Sequence, residues 1–477
     1  MAGNYQKVLK EVLSYIRPKP EEKKKLTEIA KRALGIAQKE AKKFQAKAIL
    51  AGSLTRDTWL PGKMEFDVFI LFPSSLTEKR LEQFGLQVGK EVISKMKGTH
   101  KIEYAQHPYV SGEVSGVSID VVPCFDVKDP EKLKSAVDRT PFHVKYIEKN
   151  LQPALSDEVR LLKQFCGANK IYGADAKTLG FSGYVCELLI IKYGKFTKVL
   201  ENVTSWEPGH VIDIEGYYGK KDVPKLRKTF KDQILIIIDP TDKKRNTAAA
   251  ISAENFFKFK KIAMGFLEKV SGEFFFEKEF KAISENELIQ IQMKRRTELL
   301  AVKFAPPSVV PDILWPQLRR LSERLQDILE EVKYEFKVLR RGEYTNEKDL
   351  AVVLLEMEIS KLPAIQKRVG PKVSDFDDSK RFIEKYKSQA LAGPFVEDDH
   401  WAVEVNRKFL TARDKLIDSL NKDAKILKAK GIPNFVADQI AKGFEVIYDN
   451  EKFMQLIRQD NSFGTFLRRY FEKESLV

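Results

Sequence analysis

The run MEFDVFILF at residues 64–72 constrains this chain more than any other stretch. It is short, apolar and closed by Pro73, the pattern of a strand rather than a helix. Successive strand side chains point to opposite faces. Phe66, Val68 and Ile70 therefore face one way, and Glu65 and Asp67 the other. Two carboxylates on one face repel each other unless a cation lies between them. Hard divalent cations such as Mg²⁺ take one or two carboxylates together with substrate phosphates. A second run, SGVSIDVVP at 115–123, sets Asp120 opposite Val117, Ile119 and Val121 in the same way. If the two strands are neighbours, three acids converge, as a two-metal site requires. Alone, an E-x-D pair in a strand is more often a solvated sheet face. The pair Gly52-Ser53, which closes the run AKAILAGS with eleven residues between it and Glu65, favours the site. A glycine lets the backbone approach a ligand, and N–H groups with a hydroxyl can hold phosphate oxygens.

The rest of the chain organises around that unit. Leu26, Ile29, Ala33, Ala37 and Phe44 recur at helical spacing, which predicts an amphipathic helix over 19–45. That helix, three strands and the helical sequence between them make an α/β head. From Ser156, SDEVRLLKQFCGANKIYG predicts a helix with a serine N-cap. FSGYVCELLIIKYG, at 181–194, is apolar on nearly every side and reads as a buried helix. Residues 215–245 are densely basic, with Lys220, Lys221, Lys225, Arg227, Lys228, Lys231, Lys243, Lys244 and Arg245 interleaved by Tyr217, Tyr218 and Phe230. Within them DQILIIIDP reads as a strand. Further on, TELLAVKFAP is a strand. LWPQLRRLSERLQDILEEV is a helix with Trp315, Leu318, Leu325, Leu329 and Val332 on one stripe. FKVLRRGEY and DLAVVLLEMEI are strands. Strand, helix, strand, strand is half of a split βαβ sandwich, an architecture common in RNA-binding modules. From about residue 375 the chain is charged and helical except for HWAVEVNRKF. The expected fold class is α+β with several domains, at 1–150, 151–270 and 271–477.

Charge narrows the partners. The 477 residues hold 83 Lys+Arg against 68 Asp+Glu, a net +15, which favours a polyanion. Cys124, Cys166 and Cys186 make neither a disulfide framework nor a CxxC pair. His100, His107 and Cys124 match the spacing of no compact zinc site, and none is expected from them. His107 could still line the active cleft. The sequence lacks an apolar run long enough for a membrane span and an N-terminal signal-peptide core, so the expectation is a cytoplasmic protein without a membrane partner.

Six blocks carry a resemblance. They are GSLTRDTWLPGKMEFDVFILFP, YAQHPYVSGEVSGVSIDVVPCF, KSAVDRTPFHVKYI, EVRLLKQFCGANKIYGAD, GFSGYVCELLI and IDPTDKKRNTAAAIS. In order, over about residues 45–255, they resemble the archaeal class I CCA-adding enzymes (tRNA nucleotidyltransferases) of the nucleotidyltransferase superfamily. AVKFAPPSVVPDILWPQL keeps the likeness, and the last hundred residues match loosely.

The resemblance implies a polymerase-β-like nucleotidyltransferase head, a helical neck, an RNA-binding-like body and a helical tail. It implies that Glu65, Asp67 and Asp120 hold two Mg²⁺ ions and form the catalytic centre. Gly52, Ser53, Arg56 and Lys163 would bind the triphosphate of CTP or ATP, with Tyr172 beside them. Thr140, His143 and Arg245 would contact the nucleotide, Arg245 at its base. The implied reaction is untemplated addition of C, C and A to the 3′ end of tRNA, held by its acceptor arm, in a homodimer. Phosphoryl-type transfers of this kind rest on positioning and charge neutralisation. A poly(A) polymerase would share the carboxylates but not the acceptor. An RNA-binding protein with a dead transferase domain would lack one of the acids, and all three are present.

Overall fold

A computed structural model describes residues 2–104, 106–331 and 334–472, with side chains from Tyr5 onward. Two compact units divide it, one running to Lys278 and one beginning at Glu279.

The first unit opens with α1 (Ala2–Ile16) and α2 (Pro20–Lys42). Pro20, Glu21 and Glu22 fill the first turn of α2, where a missing N–H and negative charge both suit a helix start. Then come β1 (Lys47–Ala51), β2 (Glu65–Pro73), α3 (Glu78–Lys95), β3 (Thr99–Tyr104), β4 (Pro108–Val114) and β5 (Val117–Asp126). The strands form one sheet, ordered β1-β2-β5-β4-β3. β2 and β5 pair in parallel and the other pairs are antiparallel. Helices α2 and α3 cover one face. Phe66, Val68, Ile70 and Phe72 of β2 and Ile119 and Val121 of β5 pack there with Leu26, Ala33, Leu81 and Val88. α3 lies close because a Cβ on Gly85 would fall 2.5 Å from Pro123 Cβ, and one on Gly89 would fall 2.7 Å from Val110 Cβ. The head thus has five strands where the sequence announces three. β3 is an edge strand with no buried residue, and a glycine interrupts β4, so neither shows an apolar run.

On the opposite face α4 (Thr140–Asn150) sets Val144 against Ala51, Phe69, Leu71 and Cys124. The chain continues through α5 (Ser156–Ala168), α6 (Gly183–Tyr193), α7 (Phe196–Val203), β6 (His210–Ile212), α8 (Val223–Thr229), β7 (Leu235–Asp239), β8 (Asp242–Asn246) and α9 (Ala253–Glu268). Strands β6, β7 and β8 form a small sheet. Every residue of β7 is buried, as the run DQILIIIDP leads one to expect. Val12 and Ile16 of α1 share a core with Phe165, Leu188, Phe196 and Phe259, from α5, α6, α7 and α9. Ser156, expected as an N-cap, is the first residue of α5, and Leu155 caps it. The Ser156 hydroxyl donates instead to the backbone oxygen of Arg56 at 3.1 Å.

The second unit contains α10 (Glu285–Arg295), β9 (Glu298–Phe304), α11 (Pro311–Leu329), β10 (Lys337–Thr345), β11 (Ala351–Ile359), β12 (Ile365–Lys372), α12 (Phe376–Tyr386), β13 (Ala390–Glu397) and β14 (His400–Asn406). After these come α13 (Ala412–Leu420), α14 (Ala424–Ala429), α15 (Asn434–Ile440), β15 (Glu445–Ile447), α16 (Asn450–Gln459) and α17 (Asn461–Phe471). The main sheet is β10-β11-β9-β15. α11 and α13–α15 cover one face, and α10, α16 and α17 the other. This double cover explains why β11 is buried from Ala351 to Met357. Trp315, Leu318, Leu325 and Leu329 form the buried stripe of α11. Val332, expected on that stripe, lies outside the described residues. A second sheet, β12-β14-β13, surrounds the one strand expected there. β12 and β13 are its edges, with no buried residue and a proline in each. Among the described residues no helix is long and apolar enough to cross a membrane.

Candidate active site

Strand parity and parallel pairing assemble the three acids. Asp67 and Asp120 are direct partners in the β2–β5 register, and Glu65 lies two residues before Asp67. All three side chains leave the sheet on the face opposite α2 and α3. Their crowding shows in protonation. Burial, then Asp120 and Glu65, push the Asp67 carboxyl up to about 6, with Arg56 pulling against them. Burial also raises Asp120, and Glu103 adds to it, while Ser111 and Lys101 oppose. Asp120 Oδ1 is buried with no hydrogen-bond partner among the described residues. Leaving such an oxygen unsatisfied costs about 1–3 kcal/mol. Carboxylates on one face of neighbouring strands, one of them with an orphaned oxygen, suit hard divalent cations. A cleft of about 590 Å³ opens beside them, lined by Lys63, Glu65, Lys101, Ser111, Glu113 and Ser118.

Gly52 follows β1 with φ +84°, and a Cβ there would fall 3.0 Å from Asp67 Oδ2. Both facts favour glycine. Gly52→Ala is expected to cost about 1–2 kcal/mol in left-handed backbone strain and to displace the Asp67 carboxylate. The expected result is a loss of activity of more than about tenfold, since each 1.4 kcal/mol at the reacting centre is tenfold in rate. Steady-state kinetics and a melting curve check it, and a wild-type rate would refute it. Ser53 begins the turn beyond, where its backbone oxygen accepts from Thr58 N–H at 3.0 Å.

A second group forms around Glu187 of α6. Arg56 Nη2 lies 3.1 Å from Glu187 Oε2. Lys163 of α5 donates to Thr58 Oγ1 at 3.0 Å, and to Thr58 O and Glu187 Oε1 at 3.3 Å each. The Thr58 hydroxyl in turn donates to Glu187 Oε1 at 2.8 Å. Burial pushes the Glu187 carboxyl up, but Lys163, Arg56 and Thr58 together hold it below its ordinary range. Burial pulls the Lys163 ammonium down, with Glu187 opposing. Tyr172 joins this group: a Cβ on Gly183 would meet its hydroxyl at 3.0 Å and Lys163 Nζ at 3.7 Å. Lys63 Nζ sits 5.0 Å from the Tyr172 ring centre. Burial raises the Tyr172 phenol, and Glu65 is among the charges that raise it further. Lys163 is therefore a floor beneath Arg56 and Tyr172, only 3% exposed. Glu187 and Thr58 do not stand out in the sequence. The available signal was one acid inside a helix apolar on every other side, which must find a cationic partner.

A third group forms around Asp239, at the end of β7. His143 Nε2 lies 2.9 Å from Asp239 Oδ2, and the His143 ring stacks on Tyr184 with centres 4.1 Å apart. Arg245 Nη1 donates to the same Oδ2 at 2.7 Å. Oδ1 accepts from Thr241 N–H, from its hydroxyl and from the Tyr184 hydroxyl, at 2.9, 2.8 and 3.3 Å. Burial pushes Asp239 up, yet His143, Thr241 and Arg245 hold it far below the usual carboxylate range. A depressed folded pKa contributes stability that is present above the unfolded value and lost as pH falls through the folded one. Asp239→Asn should remove about 1–3 kcal/mol at neutral pH and flatten the acid side of the stability profile. Melting temperatures measured from pH 7 down to pH 2 check this. Thr140 is the first residue of α4, one turn before His143.

His107 does not line this cleft. It lies beside Glu78 and Glu82 of α3 and meets Phe125 edge-on. In the basic stretch Lys220, Lys221, Lys225, Lys228 and Lys231 are exposed. In the second unit, Arg295 is bound to buried Glu356, through Nε at 2.5 Å and Nη2 at 3.1 Å.

Three segments match known family models. Residues 30–143 match the nucleotidyltransferase domain, and 157–276 the second domain of tRNA nucleotidyltransferase. Residues 295–449 match the C-terminal domain of the CCA-adding enzyme. The CCA-adding enzyme of Archaeoglobus fulgidus is 37% identical, over 86% of this chain and 88% of that one. The CCA-adding enzyme of Methanopyrus kandleri is 36% identical over 99% and 98%, and that of Methanoregula boonei 33% over 96% and 94%. This chain belongs to the archaeal CCA-adding enzymes. The α+β architecture expected from the sequence is observed, and its head is the nucleotidyltransferase domain of that family. In these terms the CCA-adding enzyme head carries Glu65, Asp67, Asp120 and His143. The second-domain segment carries Lys163, Tyr172, Glu187, Asp239 and Arg245.

Proposed function

We propose that this chain adds C, C and A to the 3′ end of tRNA, without a nucleic-acid template, from CTP and ATP. The observation that carries this reading is the register pair Asp67–Asp120, with Glu65 on the same face, in a chain of this family. The 3′-hydroxyl attacks the α-phosphorus, the bond to the β-phosphate bridge breaks, and pyrophosphate leaves. Glu65, Asp67 and Asp120 would hold two Mg²⁺ ions, which when bound would neutralise the triphosphate and acidify the attacking hydroxyl. Gly52 and Ser53 bring backbone close to the phosphates, and Arg56 supplies positive charge there. Lys163, through Thr58 and Glu187, fixes Arg56 and Tyr172 as one wall. Asp239 orients His143 and Arg245, which with Thr140 receive the nucleoside.

The same reading divides the labour among the segments: catalysis at 1–150, nucleotide and tRNA binding at 151–270, and further tRNA binding at 271–477. The exposed lysines of 220–231 suit the phosphates of the acceptor arm, a contact that weakens as salt rises. The working form is a homodimer.

The deciding experiment supplies tRNA lacking CCA with CTP and ATP, separately and together, in Mg²⁺. Addition that stops after three residues supports the proposal. Continued growth with ATP alone identifies a poly(A) polymerase. No incorporation by a folded, tRNA-binding protein leaves an RNA-binding protein.

A further inference from the structure

A second group of cation ligands lies on the other side of the head sheet from the catalytic acids. Glu78 and Glu82 stand one turn apart on one side of α3. His107 precedes β4. Its Nδ1 lies 3.4 Å from Glu78 Oε1 and 3.7 Å from Glu82 Oε1. One ligand atom from each residue lies within 4.8 Å of the others.

An acidic pair at a helix start is ordinary, because the helix dipole favours it. The histidine is not ordinary. Its side chain is 2% exposed, and neither ring nitrogen has a hydrogen-bond partner among the described residues. Both glutamates are beyond the N–H···O range of about 2.7–3.2 Å. Their separations suit a shared ion instead. Two ligand atoms each about 2.1 Å from a tetrahedral ion lie about 3.4 Å apart. One imidazole nitrogen with two carboxylate oxygens is a mixed set that suits zinc-type cations better than Mg²⁺.

We propose that Glu78, Glu82 and His107 bind one zinc-type divalent cation, separate from the catalytic ions. It staples the first turns of α3 to the start of β4, and water completes the shell. Cys124 takes no part.

The test is calorimetric titration of the full chain with Zn²⁺ in buffer containing excess Mg²⁺. The background is Asp67→Asn/Asp120→Asn, which disables the catalytic acids. One Zn²⁺ per chain is expected, with a rise in melting temperature. Adding Glu82→Gln, at a half-exposed position that should not disturb folding, should weaken Zn²⁺ binding by at least about tenfold, the scale seen when groups around a metal are altered. His107→Gln should abolish it, with circular dichroism confirming the fold. No Zn²⁺ uptake by the background chain overturns the proposal. So does uptake that Glu82→Gln leaves unchanged, or that excess Mg²⁺ removes.

Discussion

Asp67→Asn is expected to abolish incorporation and, in metal-free buffer, to make the protein more stable. Both effects come from one arrangement. Asp67 is partly buried beside Asp120 and Glu65, and its carboxyl is pushed up to about 6 from an ordinary 3.8. A raised folded pKa means that the native state binds the proton more tightly than the unfolded chain does. Metal-free wild type should therefore lose stability as pH rises from about 4 to about 6, then level off. A shift of this size corresponds to up to about 3 kcal/mol at neutral pH, at roughly 1.4 kcal/mol per unit. Asparagine cannot ionise, so the variant lacks this slope and melts higher at pH 7. It also lacks a charge needed at the reacting centre. Its rate should fall by at least about 10²–10³-fold, the usual loss when one such electrostatic group is removed, while tRNA binding stays nearly intact. Melting curves with and without Mg²⁺, set beside incorporation rates, read both effects. A variant that is inactive but no more stable than wild type would show that the three acids do not strain the metal-free fold.

Lys163→Met should be the most destabilising single change at the site. Lys163 and Glu187 are both buried and bonded to each other and to Thr58. Removing Lys163 leaves the buried Glu187 charge to Arg56 alone, and breaking a buried pair in this way costs up to about 3–5 kcal/mol. For a unit of this size that lowers the melting temperature by roughly 10 °C. Adding Glu187→Gln should cost less than the sum of the two single changes, because groups in contact are not additive. KM for CTP and ATP should rise as well, since Arg56 and Tyr172 lose their support. A lysine that served only as an exposed phosphate contact would raise KM and leave the melting temperature unmoved.

These two residues illustrate what could be read in advance. Asp67 stood out because an acid at every second position of an apolar run has a fixed meaning in a strand. Lys163 was visible only as a position in a matched motif, and its partner Glu187 was hidden among apolar neighbours. Asp239 is inconspicuous in the sequence for a similar reason. It closes a buried strand, DQILIIIDP, where an acid reads as the strand's end. In the fold it is the point on which His143, Arg245 and Tyr184 converge. The edge strands β3, β12 and β13 were missed because they bury too little to show a period.

Alternation along β2 and β5 is local geometry, so the chain alone determined that Glu65, Asp67 and Asp120 leave the side away from the core. Side-by-side pairing of those strands, the counter-ions around Glu187 and Asp239, and the meeting of His107 with α3 join residues far apart in the chain. Only tertiary packing decided them, because burial selects which distant charges must meet and no short-range pattern encodes that choice.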